Sequence, residues 1–197
     1  MAPASGTSGK GGRWAKLRCA AGTALAIVVA FGLAVLIVWF IVRPAPLEFA
    51  VDDARVRGVN ITDGRLNATF EVSIWADNRN NKVSVYYDAM EVRVVYDDQA
   101  VAFAEVAPFF HPHHNATEIR VTAAAVAAPL GESARRELRR DIAGGKIVVE
   151  VAVRARIRYR IATFKSHHYT LRAYCTPVDL YLSPSTPSST TNCDVEF

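Results

Sequence analysis

No aspartate or glutamate occurs before Glu48, although the 197-residue chain contains 19 of them. Only three cysteines are present, which excludes a cysteine-rich zinc module and a disulfide-dense scaffold. There is no Gly-x-Ser-x-Gly elbow, no phosphate-binding loop and no Gly-x-Gly-x-x-Gly turn, so common hydrolase and nucleotide-dependent chemistries lack their supporting residues. No Asp-x-Asp metal motif occurs either: the close aspartate pairs are the adjacent Asp52-Asp53 and Asp97-Asp98. The absence of an internal repeat removes solenoids and propellers. Together these gaps point away from an enzyme and away from a cofactor.

What the acid-free segment does contain is basic residues and then a long apolar run. Lys10, Arg13, Lys16 and Arg18 precede 24 uncharged residues, Cys19 to Val42. A hydrocarbon core of about 30 Å needs roughly 20 apolar residues in helix, so the run is long enough to span. It is too long for the h-region of a signal peptide, and Val42-Arg43-Pro44 is a poor cleavage site. The basic flank fixes the direction: positive residues stay in the cytosol, and the larger part is exported. That flank holds four of the 23 Lys+Arg, leaving 19 against 19 acids in the remainder. The net charge of +4 therefore belongs to the tail, and the balanced remainder argues against nucleic acid as a partner.

Export agrees with three sequons, at Asn60, Asn67 and Asn115, all beyond the apolar run. It also agrees with Cys175 and Cys193, the two cysteines of the exported part, which most simply pair in an oxidising compartment. Cys19, at the cytosolic edge of the bilayer, is a palmitoylation candidate. Gly22, Ala26, Ala30 and Ala34 form a small-residue ridge at a spacing of four, which would allow a homo-oligomer through the transmembrane helix.

The organisation expected is a disordered basic tail over 1–18, a transmembrane signal-anchor helix over 19–42, and a juxtamembrane linker with a first strand over 43–64. A β-sandwich follows over 65–183, and a Ser/Pro/Thr-rich tail over 184–197 ends in the disulfide-linked segment. Strand alternation is clearest in Arg65–Trp75, where Leu66, Ala68, Phe70, Val72 and Ile74 share one face and Asn67 falls on the wet one. In Lys146–Ile161 the apolar odd positions face Arg154, Arg156, Arg158 and Arg160 on the even ones. One helix interrupts the strands over Gly131–Ile142, with Ser133 available as a cap and Gly144-Gly145 as a stop. The fold class read from this spacing is mostly β. It is an immunoglobulin/fibronectin-like antiparallel sandwich of about seven strands with one side helix, preceded by the single transmembrane helix.

Two clusters invite chemistry. His111, His113 and His114 surround Pro112, and His167-His168 form a second pair, but no carboxylate or cysteine joins either at ligand spacing. They read as solvated loop histidines, with no metal expected. The arginine row reads as the wet face of a strand; an anionic partner is the alternative.

Asp77-Asn78-Arg79-Asn80-Asn81-Lys82-Val83-Ser84-Val85-Tyr86-Tyr87-Asp88 resembles a signature of plant harpin-induced/non-race-specific-disease-resistance-like proteins, Asn-Pro-Asn-(Lys)…Tyr-Tyr-Asp. Pro108 to Thr117 is similar to that family's Pro-Phe-Tyr-Gln…Asn-Thr-Thr segment. Arg154 to Cys175, with Phe164-Lys165-Ser166, is similar to its Ala-Arg-Val-Arg-Phe…Trp-Lys-Ser…Cys segment. Arg79 stands where the family has proline, His111 where it has glutamine, and Phe164 where it has tryptophan. The resemblance implies a late-embryogenesis-abundant group-2 domain and residence in the plasma membrane, with the N-terminus cytosolic and the C-terminal domain extracellular. It implies no catalytic residues. The function expected is a non-enzymatic part in plant defence or stress signalling through the extracellular domain. Protection against dehydration is the alternative. The partners expected are the lipid bilayer and an unknown protein or cell-wall component. Read from the residues, Asn78 and Asn80 build a turn through side-chain bonds to backbone. Val83, Val85 and Tyr87 then alternate into a strand, with Tyr86 and Asp88 on its other face.

Overall fold

The computed structural model describes residues 11–42, 45–182 and 189–197. It divides into two compact units, one ending at Arg43 and one running from Pro44 to Phe197.

The first unit is a single helix, α1 (Gly11–Val42). Its segment Ala20–Ile37 is long and apolar enough to cross a membrane and is exposed along its length. The helix starts eight residues before the apolar run, so Arg13, Lys16 and Arg18 lie on it and not in an unstructured tail. Lysine, arginine, leucine and alanine are good helix formers, which lets the run propagate backwards. At 1.5 Å per residue, 32 residues reach about 48 Å, more than a hydrocarbon core requires. Cys19 lies on α1, but its side chain is outside the described residues, as are positions 1–10 altogether.

The second unit is a β-sandwich of ten strands, three more than the spacing of apolar residues suggests. They are β1 (Glu48–Thr62), β2 (Arg65–Asn78), β3 (Val83–Tyr96), β4 (Gln99–Val106), β5 (Phe109–His111), β6 (Asn115–Pro129), β7 (Lys146–Ile161), β8 (Phe164–Lys165), β9 (Tyr169–Tyr181) and β10 (Thr191–Glu196). The helix α2 (Glu132–Gly144) lies between β6 and β7. Long antiparallel ladders build two sheets, β6-β2-β1 and β4-β3-β7-β9. β10 joins them by pairing with both β1 and β9, and the opposite seam is held by one pair, Phe103 with Ala124. The compact unit thus includes β1 and the C-terminal strand as full members of the sheet.

The core lies between the sheets. Leu66, Ala68, Phe70, Val72 and Ile74 of β2 are buried, as are Ile147, Val149, Val151, Val153, Ala155 and Ile157 of β7. Burying each large aliphatic side chain contributes about 1.5–3 kcal/mol. α2 covers one opening with Ala134 and Leu138. Gly131 occupies its N-cap with no side-chain bond, so Ser133 does not cap it. Gly145 closes its C-terminus at φ 78°, a left-handed conformation that glycine adopts without steric cost. Two tight hairpins turn through Asp63-Gly64 and Asp97-Asp98, each with two successive positive φ angles, the type I′ geometry that matches strand twist.

Candidate functional site

The three stretches that stand out in the sequence meet at one end of the sandwich. The ladders place them there: Glu48 pairs with Asp77, Asn78 with Asn115, Val83 with Ile161, and Tyr86 with both Phe110 and Arg158.

A buried amide network forms the floor. Asn78 has no exposed surface. Its Nδ2 donates to the carbonyl oxygens of Val83 and Pro112, both at 3.0 Å. Its Oδ1 accepts from the Asn80 backbone N–H at 3.2 Å and from Asn80 Nδ2 at 2.9 Å. Asn80 in turn holds the chain where it enters the domain: the Ala45 N–H donates to Asn80 Oδ1 at 2.6 Å, and Asn80 Nδ2 donates to the Ala45 carbonyl at 3.0 Å. Every amide hydrogen of the pair is used, which is the condition for burying such groups without loss. Between them Arg79 points outward and bridges Glu48 at 2.6 Å and Asp77 at 3.1 Å. These exposed pairs are each worth about 0–1 kcal/mol, a modest substitute for the proline that would pre-set the turn.

The strand that follows separates its residues by face, Tyr87 inward and Tyr86 and Asp88 outward. Tyr87 is buried and stacks on Phe109 at 4.4 Å and 8°. Burial pushes its phenol well above the usual tyrosine range. Asp88 receives both Arg158 Nε, at 2.7 Å, and Arg158 Nη2, with His168 Nε2 at 3.4 Å. The hydrogen bond from Arg158 holds the carboxyl below its ordinary range. Tyr86 lies under three cations. Arg160 Nη1 donates to its hydroxyl at 3.1 Å, Lys165 Nζ sits 4.6 Å from the ring centroid, and Arg158 Cζ sits 5.9 Å from it. Phe110 flanks Tyr86 at 4.7 Å and carries Arg160 over its own face. Ser166 closes the β7–β8 hairpin by accepting the Tyr159 N–H at 3.0 Å.

The histidines divide. His113, His114, His167 and His168 are exposed, but His111 is fully buried and not solvated as its loop context suggests. β5 carries it inward beside Tyr87, with ring centroids 6.1 Å apart. Its Nε2 is 2.8 Å from the Asn115 carbonyl, so this nitrogen carries the proton, and Nδ1 has no partner among the described residues. Burial pushes the His111 imidazole below its ordinary pKa. An unfolded chain binds the proton near pH 6.5, and the folded one resists it. Stability is therefore full above that pH and falls as pH drops through it, by at most about 1.4 kcal/mol per unit. Urea midpoints at pH 7.5 and 5.5 should show this loss, and His111→Gln should lessen it. Equal slopes for both chains would count against the assignment.

Arg154 and Arg156 are exposed and line an open groove of about 530 Å³ with Asp88, Glu91, Glu105 and Thr170. Glu91 lies opposite Arg154 across the ladder and Asp88 binds Arg158, so acids interrupt the arginine row at these two positions. Asn60 and Asn67 are exposed and directly paired on the β1–β2 hairpin, while Asn115 is exposed at the start of β6, at the other end. The sulfurs of Cys175 and Cys193 are 2.03 Å apart and join β9 to β10. Among the described residues no group of three His, Cys, Asp or Glu side chains is placed to hold a metal ion.

Residues 73–175, which contain the Tyr86-Tyr87-Asp88 strand, the Pro108–Thr117 segment and the arginine strand, match the family model described as late embryogenesis abundant protein. The chain belongs to this late-embryogenesis-abundant family. An uncharacterized protein from Arabidopsis thaliana is 33% identical over 156 residues, covering 78% of this chain and 71% of its own length. NDR1/HIN1-like proteins 10 and 3 of the same plant are each 28% identical over 88% of this chain, covering 80% and 78% of themselves. This late-embryogenesis-abundant protein is therefore of the NDR1/HIN1-like type, a stress- and defence-related plant protein. Neither group is known for enzymes. The match begins inside β2 and stops at Cys175, so β1 and β10 complete the sandwich from outside the matched segment.

Proposed function

We propose that this protein is a single-pass, type II resident of the plasma membrane, with a cytosolic N-terminus and an extracellular sandwich that acts by binding in defence or stress signalling. The observation that carries the reading is α1: an exposed apolar segment, Ala20–Ile37, preceded by basic residues and by no acid. Leu, Ile, Val and Phe favour the hydrocarbon, and the basic flank holds the N-terminus on the cytosolic side. The exposed sequons and the bridged cysteines support an exported domain. The motif end, where cations and aromatic faces are held in fixed positions, supports binding as the mode of action.

Topology is testable in intact protoplasts expressing the full chain with a different epitope at each end. External protease should remove the C-terminal epitope and spare the N-terminal one, and glycosidase should increase mobility. A protected C-terminal epitope with unchanged mobility would overturn the orientation.

A further inference from the structure

The end of the sandwich that the three motifs build is also the end at which the chain arrives from α1. Two residues, 43 and 44, separate Val42 from Ala45, and Ala45 is bonded to Asn80.

This end is aromatic and cationic. Phe164, on the two-residue strand β8, is 80% exposed, an unusual placement for a phenylalanine on a tight hairpin. Phe197 is 59% exposed, and Phe110 and Tyr169 are also exposed. Phe197, Tyr169, Tyr159, Ala45 and Pro46 together line an open recess. Lys165 follows Phe164 directly and is exposed, with no carboxylate partner among the described residues. Arg160 is opposite Lys165 in the β7–β8 ladder, spending its hydrogen bonds on Tyr86 and the Ala162 carbonyl rather than on an acid. Asp88, a carboxylate of the cluster, is paired with Arg158.

We propose that this rim docks on the phospholipid surface of the bilayer that holds α1, with Phe164 inserted at the boundary of headgroups and acyl chains and Lys165 and Arg160 set against lipid phosphates. The inference rests on the membrane-anchored reading above. Aromatic rings flanked by Lys and Arg are the residues that settle at this depth, the ring in the apolar layer and the cation reaching to phosphate. Lipid phosphate supplies the anion that Lys165 lacks among the described residues. A tether of two residues removes most of the entropy of finding the surface, so a few such contacts suffice. Asn115 stands on the β6-β2 sheet, whereas Phe164 stands on β7's, so a glycan at Asn115 leaves the hairpin free.

The test uses the full chain in phosphatidylcholine nanodiscs, with Cys19→Ser and a nitrobenzoxadiazole dye on Phe164→Cys. The control carries the dye on Glu132→Cys, exposed at the start of α2 at the other end of the domain. The dye at 164 should emit at shorter wavelength than the control and be quenched by lipids brominated high on the acyl chain. Lys165→Glu should reduce that quenching. A chain that co-elutes with the discs but shows water-like, unquenched emission at both positions would overturn the docking while leaving the anchor intact. A chain that does not co-elute would overturn the anchor and the docking with it.

Discussion

Asn78→Ala should lower the unfolding free energy of the domain by about 3–4 kcal/mol, because it strands several buried groups at once. The carbonyl oxygens of Val83 and Pro112 lose their donor, and the backbone and side-chain nitrogens of Asn80 lose their acceptor. The site is closed to water, so nothing replaces these bonds without opening the turn. Asn78→Asp should be nearly as costly. It keeps an acceptor but offers no hydrogen to either carbonyl and buries a charge. The effect should spread to the grip on Ala45, since Asn80 is held in position by Asn78. Urea unfolding of the full chain in detergent micelles, followed by tryptophan fluorescence, would measure the loss. Limited proteolysis would report new cleavage near Ala45. A midpoint within about 1 kcal/mol of the parent would show that the network is decorative.

Cys193→Ser should cost about 3 kcal/mol, the chain-entropy value for a closed loop of this size. The location makes the loss specific. β10 touches β1 through two paired positions and β9 through four, so its ladder contacts are few. Its departure bares one edge each of β1 and β9, and long unpaired edges promote aggregation. Hydrogen exchange should rise first at Asp194 and Val195, then at Val51 and Ala173, with the β2–β6 ladder unaffected. Dithiothreitol on the parent chain should reproduce the pattern. If the reduced chain kept its midpoint and its exchange protection, β10 would be held by packing alone.

The sequence made some of this legible and concealed the rest for identifiable reasons. Period-two alternation reports a strand with one wet face, and β2 and β7 are such strands, so their buried residues could be named without coordinates. The separation of Tyr87 from Tyr86 and Asp88 onto opposite faces follows from the same rule, and the structure shows that the Tyr87 face is the buried one. β1 breaks the rule: register shifts at Val51/Asp53 and Arg57/Asn60 interrupt its alternation, so a linker with a first strand could be read over 43–64 but not the strand's full fifteen residues. β10 is short and polar, and only its partners make it a strand. The Asn80–Ala45 pairing spans 35 residues, beyond any local pattern. His111 looked solvated because its neighbours are polar and include proline; a three-residue ladder to β3 turns it inward. Ser133 had the right chemistry for a cap but fell two places too late, after Gly131 had already begun the helix.

The route of β1 has a mechanical consequence. Its residues run away from Ala45 toward the far hairpin, paired with β2 from Glu48–Asp77 to Thr62–Arg65. Inter-strand hydrogen bonds in an antiparallel ladder lie across the strand direction. In the membrane-anchored reading proposed above, tension delivered through α1 would load that ladder in shear, so that many bonds have to fail together instead of peeling one at a time.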